Sequence, residues 1–296
     1  MNLARVGFDI HTPHDADTVN AHIAHALSLG LPEADAEPIR KLTIIANGPS
    51  AINAPLHGET LALNGAINLF FNSGRLPTYW AACDPQAIVA DFLPADPPHG
   101  IIYLVASKCH PSVFQKLQGR DVRLWHIDDH PIPESLRSVA CASSVTLVAM
   151  QLMHQAFGYR EFDTYGWDAC HEGMIHHASE PCLAEYPAET TIDLAVGAEQ
   201  IEIPARPATR LERSMSWLAH RIQAIALWIA SRKPIPQPTG DFQGGRWFKT
   251  SRTWAAEAQD ACVQIHHADY KVNVHGDGLI RAILEAKGLH VARRDA

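Results

Sequence analysis

Short, continuously apolar runs separated by helix-like stretches constrain this chain more than any other feature. KLTIIA (41–46), ETLALNG (59–65), TYWAAC (78–83), GIIYLVAS (100–107), DVRLWHI (121–127), EFDTYGWD (161–168) and YKVNV (270–274) all read as strands. Several lack a polar alternate position, so neither of their faces meets water. Strands of that kind, with helices between them, form a mostly parallel sheet covered on both faces. The predicted fold class is therefore α/β. At 296 residues the chain is long enough for one large core with an elaboration.

SSVTLVAMQLMHQAFG (143–158) is the clearest helix, with Ser143 or Ser144 to cap its start and Gly158 to end it. Further helices are predicted over Asp17–Leu29, Pro111–Leu117, Leu211–Ala230, Ser251–His266 and Gly278–Lys287. TTIDLAVGAEQIEIPA (190–205) reads as two strands around a glycine turn, a hairpin added to the sheet edge. KPIPQPTGDFQGGRW (233–247) is a Pro/Gly-rich loop. The expected organisation is a helical extension over 1–40 and a core over 41–185. An insertion of hairpin, helix and loop over 186–245 follows, and a helix–strand–helix unit over 246–296 completes the core. The long helix of the insertion suits an acceptor lid, a homo-oligomer contact or, as the default, a packed decoration.

Composition removes several partners. The net charge is −8, so nothing draws the chain generally toward nucleic acid or an anionic membrane. The N-terminus lacks the apolar core of a signal peptide, and no apolar run reaches the roughly 20 residues of a membrane span. Cysteines 83, 109, 141, 170, 182 and 262 form no Cys-x-x-Cys pair and suit a reducing cytoplasm, the expected location. HEGMIHH (171–177) approaches a zinc-protease signature, but its second histidine falls one residue late and leaves the helix face.

In an open parallel sheet, ligands gather beyond the carboxyl ends of the strands. Those ends carry Asn47-Gly48-Pro49-Ser50, Asn64-Gly65, Asp84-Pro85, Ser107-Lys108, Gly166-Trp167-Asp168 and His275-Gly276. In the first turn, Gly48 allows close backbone approach, Pro49 fits a first helical turn, and Ser50 offers a hydroxyl and an N–H. That combination suits a phosphate, as does the helix start at Ser143-Ser144; plain turn and capping roles are the bland alternatives. Asp84 and Asp168 both follow apolar strands, and two carboxylates facing phosphates suit Mg²⁺. No Walker-type loop, dinucleotide fingerprint or Gly-x-Ser-x-Gly elbow occurs.

The ordered set IIANGPS, LALNGA, PTYWAACDPQ, SSVTLVAMQLMHQAFGYREFDTYGWD, FKTSRTWAAEAQDA and VNVHGDGL resembles the 6-hydroxymethylpterin diphosphokinase MptE-like family. That family is related to motility accessory factors implicated in sugar transfer. The resemblance covers roughly 41–180 and 246–285. The opening turn is also similar to a Gly-Asn-Gly-Pro-Ser turn of bacterial sialyltransferases that helps bind a cytidine nucleotide; Ala46 stands here in place of the first glycine.

The resemblance implies a Rossmann-like, nucleotide-dependent transferase. In the diphosphokinase version, ATP and Mg²⁺ deliver a pyrophosphoryl group to a pterin. Asn47, Gly48, Pro49, Ser50, Asn64, Ser107, Ser143, Ser144, Gly166 and Gly276 then line the nucleotide and phosphate site, and Asp84 with Asp168 holds the metal. Trp80 or Trp167 is placed to stack on the pterin. In the glycosyltransferase version, the donor is a nucleotide sugar and His176 or His177 is the general base. A third version keeps the pocket without catalysis.

Overall fold

The computed structural model describes residues 15–31, 41–129, 138–170, 192–196, 246–250, 252–287 and 289. Eight strands form one parallel sheet: β1 (Lys41–Ile45), β2 (Thr60–Leu63), β3 (Tyr79–Ala82), β4 (Ile102–Ala106), β5 (Asp121–Ile127), β6 (Ser138–Val139), β7 (Glu161–Tyr165) and β10 (Lys271–Val274). Their spatial order is β10-β7-β1-β2-β3-β4-β5-β6. The chain builds outward from β1 to β6, then returns to lay β7 on the other side of β1. The order therefore reverses between β1 and β7, which is where an open α/β sheet forms its ligand crevice.

Every residue of β2 and of β3 is buried. Because successive side chains point to opposite faces, burial at every position means that both faces are covered. The three strands at the other end alternate instead, with exposed or half-buried Glu161, Asp163 and Tyr165 on β7 beside Lys271 and Asn273 on β10. Asp163 is the hub of that face. Burial alone would raise its carboxyl, but the His275 ring nitrogen 3.4 Å away and the bonds from Lys41 and Asn273 outweigh it and hold the group well below the usual range.

The helices are α1 (Ala16–Ser28), α2 (Ile67–Asn72), α3 (Pro111–Lys116), α4 (Val145–Gln155), α5 (Arg252–His267) and α6 (Leu279–Ala286). Asp15 caps α1 by accepting from the Thr18 N–H at 2.8 Å. The residues Thr146 through Met153 of α4 are all buried, so this helix lies inside the protein. It is tied to α5 through Gln264, which accepts from Gln151 at 3.0 Å and donates to the Leu147 carbonyl at 2.9 Å. The α2 helix follows β2 after a single 3-10 turn, Asn64–Ala66, and was not anticipated from the sequence.

The expected edge hairpin takes a different form. Its first strand, β8 (Ile192–Val196), pairs antiparallel with β9 (Arg246–Thr250), some fifty positions later in the chain, in a separate two-stranded sheet. Its second arm at 201–205 and the helix expected over Leu211–Ala230 lie outside the described residues. Among the described residues, no helix is long and apolar enough to cross a membrane.

Candidate functional site

The turn after β1 is pinned to the turn after β7. The Ala46 N–H extends the ladder to the Tyr165 carbonyl at 2.8 Å, and the Gly48 N–H reaches the Gly166 carbonyl at 2.8 Å. Ser50 closes the lock twice: its hydroxyl accepts from the Gly166 N–H at 2.8 Å, and its N–H donates to Asp168 Oδ2 at 2.9 Å. A Cβ at Gly48 would stand 2.5 Å from both Asp168 Oδ2 and the Gly166 carbonyl oxygen. Glycine is needed here for the approach of one strand end to another.

This corrects the sequence expectation for Ser50. Its N–H and hydroxyl, assigned above to a phosphate, are both engaged within the protein. The anion at the start of the 3-10 turn Pro49–Asn53 is the carboxylate of Asp168. Asp168 also accepts from the Leu279 N–H of α6 at 2.8 Å through its backbone carbonyl. Gly276, with φ +91°, packs against Ser50, where a Cβ would lie 2.5 Å from the serine Cβ. Pro49, Ser50 and Gly276 thus build the floor of the site without lining it.

A cavity of about 170 Å³ opens beside this lock. Asn47, Gly48, Asn64, Ser144, Gly166 and Asp168 line it, as the sequence suggests, together with Val145, Thr146, Trp167, Ala169, Cys170, Trp254 and Glu257. It lies at the carboxyl ends of β1, β2 and β7, at the point of order reversal. The described non-glycine residues with positive φ, Asn64 at 47° and Ala169 at 51°, both stand in its wall. Asparagine tolerates that conformation; alanine is strained by about 1–2 kcal/mol. The Thr250 hydroxyl of β9 braces Ala169 by donating to its carbonyl at 2.6 Å.

Asn64 holds Trp80 with its backbone carbonyl, accepting from the indole N–H at 2.9 Å. Its side-chain Oδ1 is buried and meets no hydrogen-bond donor. An unsatisfied buried acceptor costs about 1–3 kcal/mol, a cost that adds to that of the positive φ at this residue.

The start of α4 forms the facing wall. Ser144 caps the helix, its hydroxyl accepting from the Leu147 N–H at 3.4 Å. Val145 and Thr146 lie in the first turn, where N–H groups have no intrahelical acceptor. Two carboxyls of α5 hold this start in place. Asp260 accepts from both the N–H and the hydroxyl of Ser143, at 2.8 and 2.7 Å, which takes Ser143 out of the expected phosphate cradle. Glu257 accepts from the Trp167 indole N–H at 2.6 Å and shares the cavity wall with Ser144. Burial pushes both carboxyls upward, against these hydrogen bonds.

The other predicted residues lie elsewhere. Asp84 follows β3 and Asp168 follows β7, three strand positions apart, or roughly 14 Å at the usual strand spacing. Asp84 caps its own turn by accepting from the Gln86 N–H at 2.9 Å and does not line the cavity. A single Mg²⁺ bound by both aspartates, at ligand distances of about 2.1 Å, does not fit this spacing. Ser107 is buried after β4, its hydroxyl 2.9 Å from His126 Nδ1, and takes no part in the cavity. His176 and His177 lie outside the described residues. Trp254 and Glu257 escaped the sequence reading, although their spacing of three places them on one helix face.

No protein-family model matches the chain, and no curated protein matches it. Among solved structures, the fold is similar to that of a MAf glycosyltransferase from Magnetospirillum magneticum AMB-1, with a TM-score of 0.50 and 11% sequence identity. The similarity covers 89% of this chain but 37% of that protein, so this chain spans little more than a third of its length. At that identity the likeness establishes the Rossmann-like α/β architecture and nothing finer.

Proposed function

We propose that this protein is a nucleotide-sugar-dependent glycosyltransferase whose donor nucleotide occupies the cavity between β1, β2, β7 and α4. The observation that carries this reading is the chemistry of the wall. Among the described residues it presents Asn47, Asn64, Ser144, Asp168 and Glu257, with no lysine, arginine or histidine beside them. Such a wall suits hydroxyl and amino donors of a nucleoside with one phosphate. A triphosphate carries several negative charges and calls for cationic compensation that these residues do not supply.

In this reading the phosphate of the donor lies against the first-turn N–H groups of Val145 and Thr146, where the dipole of α4 favours an anion. The turns after β1 and β7 fix its orientation. Transfer breaks the bond between the anomeric carbon and the phosphate oxygen, which leaves with the electron pair. The acceptor hydroxyl oxygen bonds to that carbon and gives its proton to a base, for which His176 or His177 is proposed. The resemblance of the opening turn to that of sialyltransferases points to a cytidine monophosphate sugar as donor. The kinship of the fold with a MAf glycosyltransferase supports the same class.

A thermal-shift panel separates this reading from pyrophosphoryl transfer. Cytidine monophosphate at about 100 times its dissociation constant should stabilise the protein by about 2.7 kcal/mol, raising the midpoint by roughly 5 °C without any divalent ion. Stabilisation by ATP with Mg²⁺ alone, accompanied by AMP release with 6-hydroxymethyl-dihydropterin, would overturn the proposal in favour of the diphosphokinase.

A further inference from the structure

We infer that Glu257 reads the ribose hydroxyls of the nucleotide in this cavity, a specificity role that rests on the nucleotide reading above. Glu257 is 9% exposed and lines the cavity one helical turn beyond Trp254. The Trp167 indole N–H holds one carboxyl oxygen at 2.6 Å, and Ser144 lines the same cavity from the side of α4. The bond from Trp167 sets the Glu257 rotamer before any ligand arrives, which lowers the entropy cost of recognition.

Position assigns the ligand group. Ser144 caps α4 immediately before Val145 and Thr146, the residues placed against the phosphate. A side chain beside Ser144 stands next to the phosphate, and the part of a nucleotide next to its phosphate is the ribose. Asn64 lines the same cavity. A carboxyl and an amide are the pair of polar groups that a vicinal diol can engage.

Charge is compatible with this placement. Burial favours the neutral form of Glu257, and Asp260 on the same helix adds to that preference. A neutral carboxyl sits beside a phosphate without repelling it, and it both donates to and accepts from a hydroxyl.

Isothermal titration of cytidine monophosphate and of its 2′,3′-dideoxy analogue into wild type, Glu257→Gln and Glu257→Met tests the inference. Wild type should bind the ribonucleotide about 10-fold or more tightly than the dideoxy form, the effect of about one hydrogen bond. Glu257→Met should reduce that ratio to about 2-fold, with Glu257→Gln in between. Equal affinity of wild type for both ligands would overturn the inference while leaving the nucleotide reading standing. So would variants that weaken both ligands by the same factor, the signature of a purely structural Glu257. Failure of wild type to bind either ligand would overturn the nucleotide reading and this inference with it. If Glu257→Met does not fold, Glu257→Gln, which keeps an acceptor for the Trp167 indole N–H, carries the comparison.

Discussion

Gly166→Ala should destabilise the protein by about 2–5 kcal/mol, lowering its thermal midpoint by roughly 4–15 °C. Gly166 adopts φ +69°, which alone costs an alanine about 1–2 kcal/mol. The added Cβ would also press on the Ala46 carbonyl and stand 2.8 Å from the Ala51 Cβ. Those neighbours belong to the turn that Gly48 and Ser50 tie to β7, so they cannot move aside without breaking the lock. Overpacking of this kind adds about 1–3 kcal/mol. Gly58→Ala is the control, because Gly58 shares the positive φ, at +79°, but has open space where a Cβ would go. It should lose only the conformational part. If thermal unfolding shows the two variants equally stable, the close approach of the β1 and β7 ends is not what Gly166 serves.

Asp168→Ala should abolish nucleotide binding, whereas Asp84→Asn should leave it within about 2-fold. Removing the Asp168 carboxylate strands the buried Ser50 N–H without its acceptor, at about 1–3 kcal/mol. It also frees the turn that carries Asn47 into the cavity, so affinity for cytidine monophosphate should fall well beyond 10-fold. Asp84 stands three strands away, and its bond from the Gln86 N–H is one that asparagine reproduces. Titration calorimetry on both variants, with and without Mg²⁺, separates this account from a metal shared by the two aspartates. Loss of a Mg²⁺-dependent affinity in Asp84→Asn would restore that metal.

The sheet was legible because its middle strands are buried on both faces, and TYWAA or IIYLVA has few other places to go. The seven long strands fall within the predicted runs. Ser138–Val139, only two residues long, carries no such signal. The antiparallel partner of Ile192–Val196 at Arg246–Thr250 was not anticipated, for a different reason. A glycine after a strand looks like a local hairpin, and nothing in the alternation of residues announces a partner at Arg246–Thr250.

At the site, the positions were more legible than their roles. The strand-end pattern picks out Asn47, Gly48, Asn64, Gly166 and Asp168, all of which line one cavity. It also picks out Asp84 and Ser107, because every strand of a parallel sheet ends on the same side and only the strand order says which ends are neighbours. Ser50 and Asp168 looked like ligand groups for the same chemistry that makes them bind each other, an N–H at a turn and a carboxylate in reach. Glu257 was hidden because its helix comes nearly ninety residues after Asp168 and returns to the cavity only through the packing of α5 on α4.

The central claim is that a nucleotide lies between the ends of β1, β2 and β7 and the start of α4. Amide hydrogen exchange with and without saturating cytidine monophosphate tests it most directly. The account predicts slowed exchange at 46–50, 64–66, 144–147 and 166–170, with no change around Asp84 and Lys108. Protection confined to the turns after β3 and β4, with the β1 and β7 turns unaffected, would contradict it.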